Sequence, residues 1–309
     1  MATRVLITGG AGFLGRAILR RISMGKLDWQ VTVYSRDETI QEQARRRYSK
    51  ARYVLGDVRD IERLTLAMMG HEYVIHAAAI KYIPEAELNA AECFSVNIGG
   101  AESVATAARR AGVARIVGIS TDKACQPVNS YGASKFVMER LFAESSIEGT
   151  QFNCVRYGNV VGSTGSVIPL FRWQYETAGR VRVTDPNMTR FWMGVDEAID
   201  LILKALEDSI SAGAIVIPLV KAMRMSDVVL AAVGEVPVDV MGIRPGEKMH
   251  ERLLHLEESV RVIRRKDDFI LLPPGQNVND KPFSLSSQSP HYWLDPVVMK
   301  SLIEDAKEI

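Results

Sequence analysis

The chain has 309 residues, of which 47% are hydrophobic, 24% charged and 7% aromatic. That globular balance excludes a disordered chain, and at roughly 150 residues per domain it leaves room for two domains or one large unit bearing a lobe. Its 38 Lys and Arg against 37 Asp and Glu give a net charge of +1, which argues against a nucleic-acid partner gripped by a basic face.

The opening MATRVLITGG lacks the pattern of a secretory signal. No window approaches the roughly 18 apolar residues that span a bilayer. Cys93, Cys125 and Cys154 are scattered and form neither a disulfide framework nor a metal site. A soluble cytoplasmic protein without membrane or metal is expected.

Taken in order, Arg4–Thr8 reads as a strand and Phe13–Met24 as a helix. Strands follow at Gln30–Tyr34 and Arg52–Leu55, a helix at Ile61–Met69 and a strand at Tyr73–Ala78. A long helix over Ala91–Ala111, a strand at Arg115–Ser120, a helix near Tyr131–Glu144 and a strand at Phe152–Tyr157 complete the first half. Short apolar strands alternating with helices predict a Rossmann-type, doubly wound α/β parallel sheet over residues 1–157. Asp196–Glu207 reads as one more helix of that layer, so about 190–218 is expected to return to it. The rest, 158–189 and 219–309, is expected to build a smaller substrate-binding lobe, with helices at Met225–Val233 and Glu247–Leu254. Asp295-Pro296 has the form of a helix cap with Pro at the first helical position.

Gly9, Gly12 and Gly15 stand in Thr8-Gly9-Gly10-Ala11-Gly12-Phe13-Leu14-Gly15, after a strand and opening a helix. A dinucleotide pyrophosphate needs that tight turn and the amides at the helix start, around Phe13 and Leu14. After the second strand come Ser35 and Arg36, where an NAD site usually places a carboxylate and an NADP site an Arg. NADP is the favoured cofactor. Asp57 and Val58 suit the adenine edge, and Ala77, Ala78 and Ala79 let backbone pass close to the cofactor. Arg45–Arg47 reads as a solvated helix face.

Tyr131 and Lys135 lie four apart, on one face of a helix that follows the fifth strand. A neighbouring ammonium and an oxidised nicotinamide would both favour the phenolate that a base requires. With Thr121 they resemble the Ser/Thr–Tyr–Lys set of the short-chain dehydrogenase/reductase superfamily. Asp122 and Lys123 sit at the carboxyl end of the same strand, where open α/β sheets bind ligands. They read either as a loop ion pair or as a second proton-transfer device.

HAAAIK (76–81), STDKA (120–124), YGASK (131–135), RYGNVVGS (156–163), GSVIP (165–169), MTRFW (188–192) and GIRPGEK (242–248) occur here in that order. With them the chain resembles the soluble, inverting UDP-N-acetylglucosamine 4,6-dehydratases of bacterial surface-glycan synthesis, over about residues 4–255. The glycine turn has only the general superfamily form, and the last 50 residues match loosely. The resemblance implies a lyase with tightly held NADP recycled in each turnover. Tyr131 would take the 4-hydroxyl proton, Lys123 the C5 proton, and Asp122 would protonate the departing 6-hydroxyl. The last two titrate as one system, so which of them is acid and which base stays open. The resemblance also implies substrate contacts from Lys81, Asn159, Arg190, Arg244 and Glu247, and a homo-oligomer, a dimer or larger. A packing cation at Arg190, a helix-start carboxylate at Glu247 and a loop brace at Asn159 are the structural alternatives.

His250-Glu251-Arg252-Leu253-Leu254-His255 is not a zinc helix, because residues five apart fall on different faces. Cys125 reads as a small loop filler, and Phe191-Trp192 as lobe core. A nucleotide-sugar 4-epimerase or reductase would not need Asp122 and Lys123, and a non-catalytic NADP-sensing module would not need Tyr131 or Lys135.

Overall fold

The computed structural model describes residues 2–309. Strand β1 (Thr3–Thr8) leads into helix α1 (Phe13–Ser23), and β2 (Trp29–Ser35) into α2 (Glu38–Arg47). Next come β3 (Arg52–Leu55), α3 (Ile61–Met68) and β4 (Tyr73–His76). Helices α4 (Ile83–Leu88), α5 (Ala90–Phe94) and α6 (Gly100–Ala111) precede β5 (Arg115–Ile119), then α7 (Ser130–Ser145) and β6 (Gln151–Val155). These elements lie within a few residues of the expected ones, since each strand is a compact apolar run that the sheet buries. One helix departs. The stretch expected to be continuous from Ala91 to Ala111 widens into a π turn at Ser95–Gly99. That turn buries Asn97, whose side chain exchanges hydrogen bonds of 2.8 Å with both backbone groups of Ile80.

The second half contains β7 (Asn159–Val160), α8 (Val167–Ala178), β8 (Val181–Val183), β9 (Thr189–Met193), α9 (Val195–Ala205) and β10 (Ile215–Pro218). It continues through β11 (Lys221–Arg224), α10 (Met225–Val233), β12 (Val238–Val240), β13 (Arg252–Leu254) and α11 (Leu256–Ser259). Strands β14 (Val262–Arg264), β15 (Asp268–Leu271) and β16 (Leu285–Ser286) precede α12 (Pro296–Ala306). Asp295 caps α12 through the Val297 amide at 2.7 Å, with Pro296 first in the helix as expected. Among the described residues no helix is long and apolar enough to cross a membrane.

Nine strands form the main sheet in the order β14-β15-β10-β6-β5-β4-β1-β2-β3. From β10 to β3 all neighbours are parallel. Chain order reverses between β1 and β4, which opens a crevice at their carboxyl ends. The doubly wound parallel sheet is as expected, extended at one edge by β15, which pairs antiparallel with β10 and with β14. Three expectations need correction. Residues 262–271, assigned above to the lobe, belong to the main sheet: the fully buried β10 would otherwise present an open edge. The return to the sheet starts later than 190, since β9 pairs with β7 and β11 in a separate three-stranded sheet.

The third correction is the missing helix at Glu247–Leu254. Pro245-Gly246 makes a turn with Gly246 at φ +80°. Beyond it the chain is extended, because Met249 accepts from the Thr189 amide and β13 pairs with β16. Tertiary pairing overrides a helical preference worth only tenths of a kcal/mol per residue.

Sheet and lobe are joined by a buried charge cluster. Arg156, just past β6 and fully buried, makes two bonds to Glu139 of α7 (2.9 and 2.7 Å) and two to Glu258 of α11 (2.7 and 2.9 Å). It also donates to the Leu253 carbonyl at 3.1 Å, and Ser120 donates to Glu139 at 2.6 Å. Burial alone would raise the Glu258 carboxyl, but Arg156 outweighs it and holds that group below its ordinary range. Its stabilising contribution is complete above the unfolded value of about 4.3 and fades as pH falls through the folded one. Arg156→Met should therefore cost about 3–5 kcal/mol near pH 7, since it strands buried carboxylates. Urea unfolding should show that deficit shrinking as pH falls toward about 4.3, because without Arg156 burial raises the Glu258 carboxyl and it takes a proton above its ordinary value. A constant deficit across that range would refute this account.

Candidate active site

The cofactor cradle follows from the glycine turn. Gly9 has φ +67°, donates to the Tyr34 carbonyl at 2.8 Å, and leaves no space for a side chain against Ala77 and Ala78. Gly15 packs so closely on the Gly10 carbonyl that a Cβ would overlap it. Gly12, exposed, precedes α1 without any side-chain cap, and the first turn carries no acidic residue. The amides at Phe13 and Leu14 therefore begin a helix whose positive end is left for an outside anion. The Phe13 and Leu14 side chains pack against the core below. An uncapped helix start behind a side-chain-free turn fits a dinucleotide pyrophosphate.

At the far end of β2, the Ser35 hydroxyl accepts from Gln41 at 2.9 Å, which leaves its own proton to donate. Arg36 is exposed, 3.5 Å from Asp57 and 4.0 Å from Glu92. Asp57 is bound more tightly by Arg59, at 2.7 and 2.9 Å, and those hydrogen bonds hold its carboxyl down at about 2. Its carboxylate thus braces the turn after β3, while Val58 is buried core packed near Gly100. Ala79, like Ala77 and Ala78, is half-buried on the loop after β4.

The catalytic candidates converge. After β5 a single 3-10 turn, Asp122–Ala124, is anchored by the Asp122 amide on the Tyr157 carbonyl at 2.9 Å. Asp122 is fully buried; its Oδ1 accepts from Thr121 and from Lys123 Nζ, both at 2.9 Å, and its Oδ2 has no partner. Lys123 Nζ is also 3.4 Å from Asn159 Oδ1 and 3.9 Å from Glu251. Helix α7 begins beside this turn, capped by Asn129 through the Gly132 amide at 2.7 Å, and Gly132 lies against the Lys123 carbonyl. That contact puts Tyr131 next to the pair, while Lys135, one turn on, faces Cys154, Glu139 and Cys93.

Burial pushes the Tyr131 hydroxyl up to about 12, while Lys123 and the Thr121 hydroxyl pull the other way. The ammonium that favours the phenolate is thus Lys123, where the sequence suggested Lys135. Lys135 is buried and lowered to about 8 by that burial, with its nitrogen 3.5 Å from the Met138 sulfur. For Lys123 burial works to lower the ammonium, but Asp122 and then Glu251 outweigh it and raise the group above its ordinary value. In the resting site Lys123 is charged and Tyr131 neutral.

The lobe residues come together in part. Glu247 accepts from Arg244 at 2.6 Å and from Thr184 at 2.9 Å. Burial would raise its carboxyl, yet these bonds, with Arg244 and Arg190 nearby, keep it lowered. Arg190 is buried on β9 and donates to the Thr189 and Met249 carbonyls at 2.7 and 3.2 Å. Asn129 donates to the Gly246 carbonyl at 2.8 Å, which ties this loop to the start of α7. Lys81 is exposed on the loop after β4.

Cys125 is buried, and burial pushes its thiol up to about 12, as suits a loop filler. Trp192 is buried in the lobe core as expected, but Phe191, also buried, joins the main-sheet cluster with Ile217 and Leu253. His250 is occupied by Thr189 at 2.8 Å and His255 by Glu257 at 2.6 Å. Sequence reasoning missed Asn97, the Arg156 cluster and Glu251. Paired Gly99-Gly100 inside a helical run could have flagged the π turn. Glu251 was hidden between two histidines read as a metal decoy.

Residues 5–272 match the family of polysaccharide biosynthesis proteins. The chain is 38% identical to the UDP-N-acetylglucosamine 4,6-dehydratase (inverting) of Campylobacter jejuni, with 94% of this chain and 93% of that one covered. It is also 37% identical to the UDP-glucose 4-epimerase of Rickettsia typhi, over 83% and 79%. The solved structure of Pen from Bacillus thuringiensis superimposes with a TM-score of 0.90 at 31% identity, covering 100% of this chain and 98% of that one. A Rossmann sheet with a crevice at its switch point, and this extent of identity, agree: the chain belongs to the polysaccharide biosynthesis protein family, within the extended short-chain dehydrogenase/reductases.

Proposed function

We propose that this protein is a cytoplasmic NADP-dependent hydro-lyase that converts a UDP-N-acetylhexosamine, UDP-N-acetylglucosamine first, into its 4-keto-6-deoxy product with inversion at C5. The observation that carries the reading is the buried Asp122–Lys123 pair, 2.9 Å apart beside Tyr131. A reaction confined to C4 has no use for it.

The glycine turn and α1 would hold the pyrophosphate, and Ser35 and Arg36 the 2′-phosphate. When bound, the nicotinamide supplies a hydride acceptor for C4 and a donor for C6, so the cycle is redox-neutral. Tyr131 first loses its own proton to solvent, the charge on Lys123 opposing the burial that disfavours the phenolate, and then takes the 4-hydroxyl proton. A ketone at C4 acidifies C5. One proton moving from Lys123 Nζ to Asp122 across their hydrogen bond converts the resting ion pair into an amine beside a carboxylic acid, with no change in net charge. Lys123 then accepts the C5 proton while Asp122 donates to the 6-hydroxyl, and water leaves. The same transfers restore the ion pair. C5 finally takes up a proton from solvent on its other face, and the proton that Tyr131 took from the 4-hydroxyl returns to solvent. Arg190 and Arg244 suit the diphosphate by bidentate pairing, and Lys81, Asn159 and Glu247 the sugars.

Incubating the protein with UDP-N-acetylglucosamine should give a product lighter by one water, without accumulation of reduced cofactor. The identity to rickettsial epimerases supports a second reading, 4-epimerisation. It predicts a new isomer of unchanged mass, and that outcome would overturn the lyase. Lys123→Ala should keep NADP binding but cut C5 deuterium uptake from heavy water by roughly a hundredfold or more. Unaltered uptake would remove Lys123 as the base. Arg36→Ala should weaken NADP about tenfold or more while sparing NAD, since one charge-assisted bond is worth about 1.5–3 kcal/mol. Equal loss for both cofactors in a titration would take Arg36 out of the phosphate site.

A further inference from the structure

Lys123 faces two buried carboxylates, and the reaction as written uses only Asp122. The second, Glu251, is 3% exposed. Its Oε1 lies 3.9 Å from Lys123 Nζ and its Oε2 3.5 Å from Lys248 Nζ, and Oε2 makes no hydrogen bond. Its backbone is pinned on both sides by Ser287, whose hydroxyl accepts from the Glu251 amide and whose amide donates to its carbonyl, each at 2.9 Å. Leu253, two residues on, is held by Arg156. Lys248 also donates to the Cys125 carbonyl at 2.8 Å, so the cation beside Glu251 is fastened to the catalytic loop. A buried, incompletely bonded carboxylate is costly unless cations repay it. The cations it faces are Lys123 and Lys248.

We propose that Glu251 is a positioning residue that completes, with Asp122, a two-carboxylate cradle around the Lys123 nitrogen and governs when that nitrogen becomes a free base. This deepens the dehydratase reading and rests on it. Until it donates to the 6-hydroxyl Asp122 carries a proton, so it cannot balance charge that develops on Lys123 ahead of that donation. Glu251 exchanges no proton in that step: the N–H bond forms at Lys123 as the C5–H bond breaks, and the developing cation stays paired. The groups facing Lys123 are Asp122 and Glu251, which favour its charge, Arg190, which opposes it, and Tyr131. The His250 ring is engaged by Thr189.

The test reads Lys123 without substrate. Its side chain is 14% exposed, so a small reagent, acetic anhydride, is used. Acetylation of Lys123 in the full-length chain is followed across pH by peptide mass spectrometry. Glu251→Gln should move the midpoint of reactivity down by about one pH unit or more, given a charge near 4 Å in a partly buried site. Glu251→Asp should restore most of the shift. Lys248→Met, which leaves Glu251 to Lys123 alone, should move the midpoint up. Midpoints unchanged in Glu251→Gln overturn the proposal. Should that variant not fold, an unmoved midpoint in Lys248→Met overturns it instead. In turnover, the ascending pH limb of kcat should shift the same way with KM within about twofold, since Glu251 acts through Lys123 rather than on the sugar. A wild-type chain that releases no water from the nucleotide sugar would refute the dehydratase reading, while the acetylation midpoints would still decide the role of Glu251.

Discussion

One guanidinium organises both walls of the cleft. Arg156 stands at the end of β6 and binds Glu139, one turn beyond Lys135 on α7, and Glu258 on α11. Ser120, immediately before the Thr121–Lys123 run, is attached to the same Glu139, and the Leu253 carbonyl to the same Arg156. Such a buried cluster contributes little net stability over an apolar equivalent, because desolvation consumes most of the attraction. What it does is geometric. Four hydrogen bonds from a rigid fork admit few arrangements, so the helix carrying Tyr131 and Lys135 and the strand following Glu251 are placed by one centre.

The electrostatics of the site are set by burial and then modified by neighbours. Burial drives both Tyr131 and Lys135 toward their neutral forms. Lys123 alone resists, because two carboxylates outweigh its desolvation. With Lys123 charged beside a neutral Tyr131, the proposed chemistry needs a short proton shift to Asp122 and the loss of the tyrosine proton. The uncapped start of α1, with no acidic side chain in its first turn, applies the same logic at the cofactor end. Each place where the fold omits or overcommits a charge is a place where a ligand or a proton transfer can use it.

Much of this was legible in the residues. The strands of the first half are apolar runs punctuated by turn residues, so their positions depend on local chemistry and were recoverable to within a few residues. The glycine turn, the Tyr131–Lys135 spacing and the Asp122–Lys123 pair lie in short segments whose geometry is local too. The 247–254 segment was misread because its structure comes from partners distant in sequence: Thr189 binds Met249, and Leu285 and Ser286 pair with β13. The antiparallel β14–β15 edge was missed for the same reason, as strand pairing is not encoded in the strand itself.

The amino-acid sequence by itself determined the alternating sheet, the glycine turn and the candidate side chains for the proposed chemistry, because these rest on spacing along one segment. Only the tertiary structure decided which charges face one another. Glu251 lies far along the chain from Lys123, and the Asn97 clamp on Ile80 exists only because a helix widens at one turn. Distances between segments are products of packing, and packing is a property of the whole core rather than of any stretch of residues.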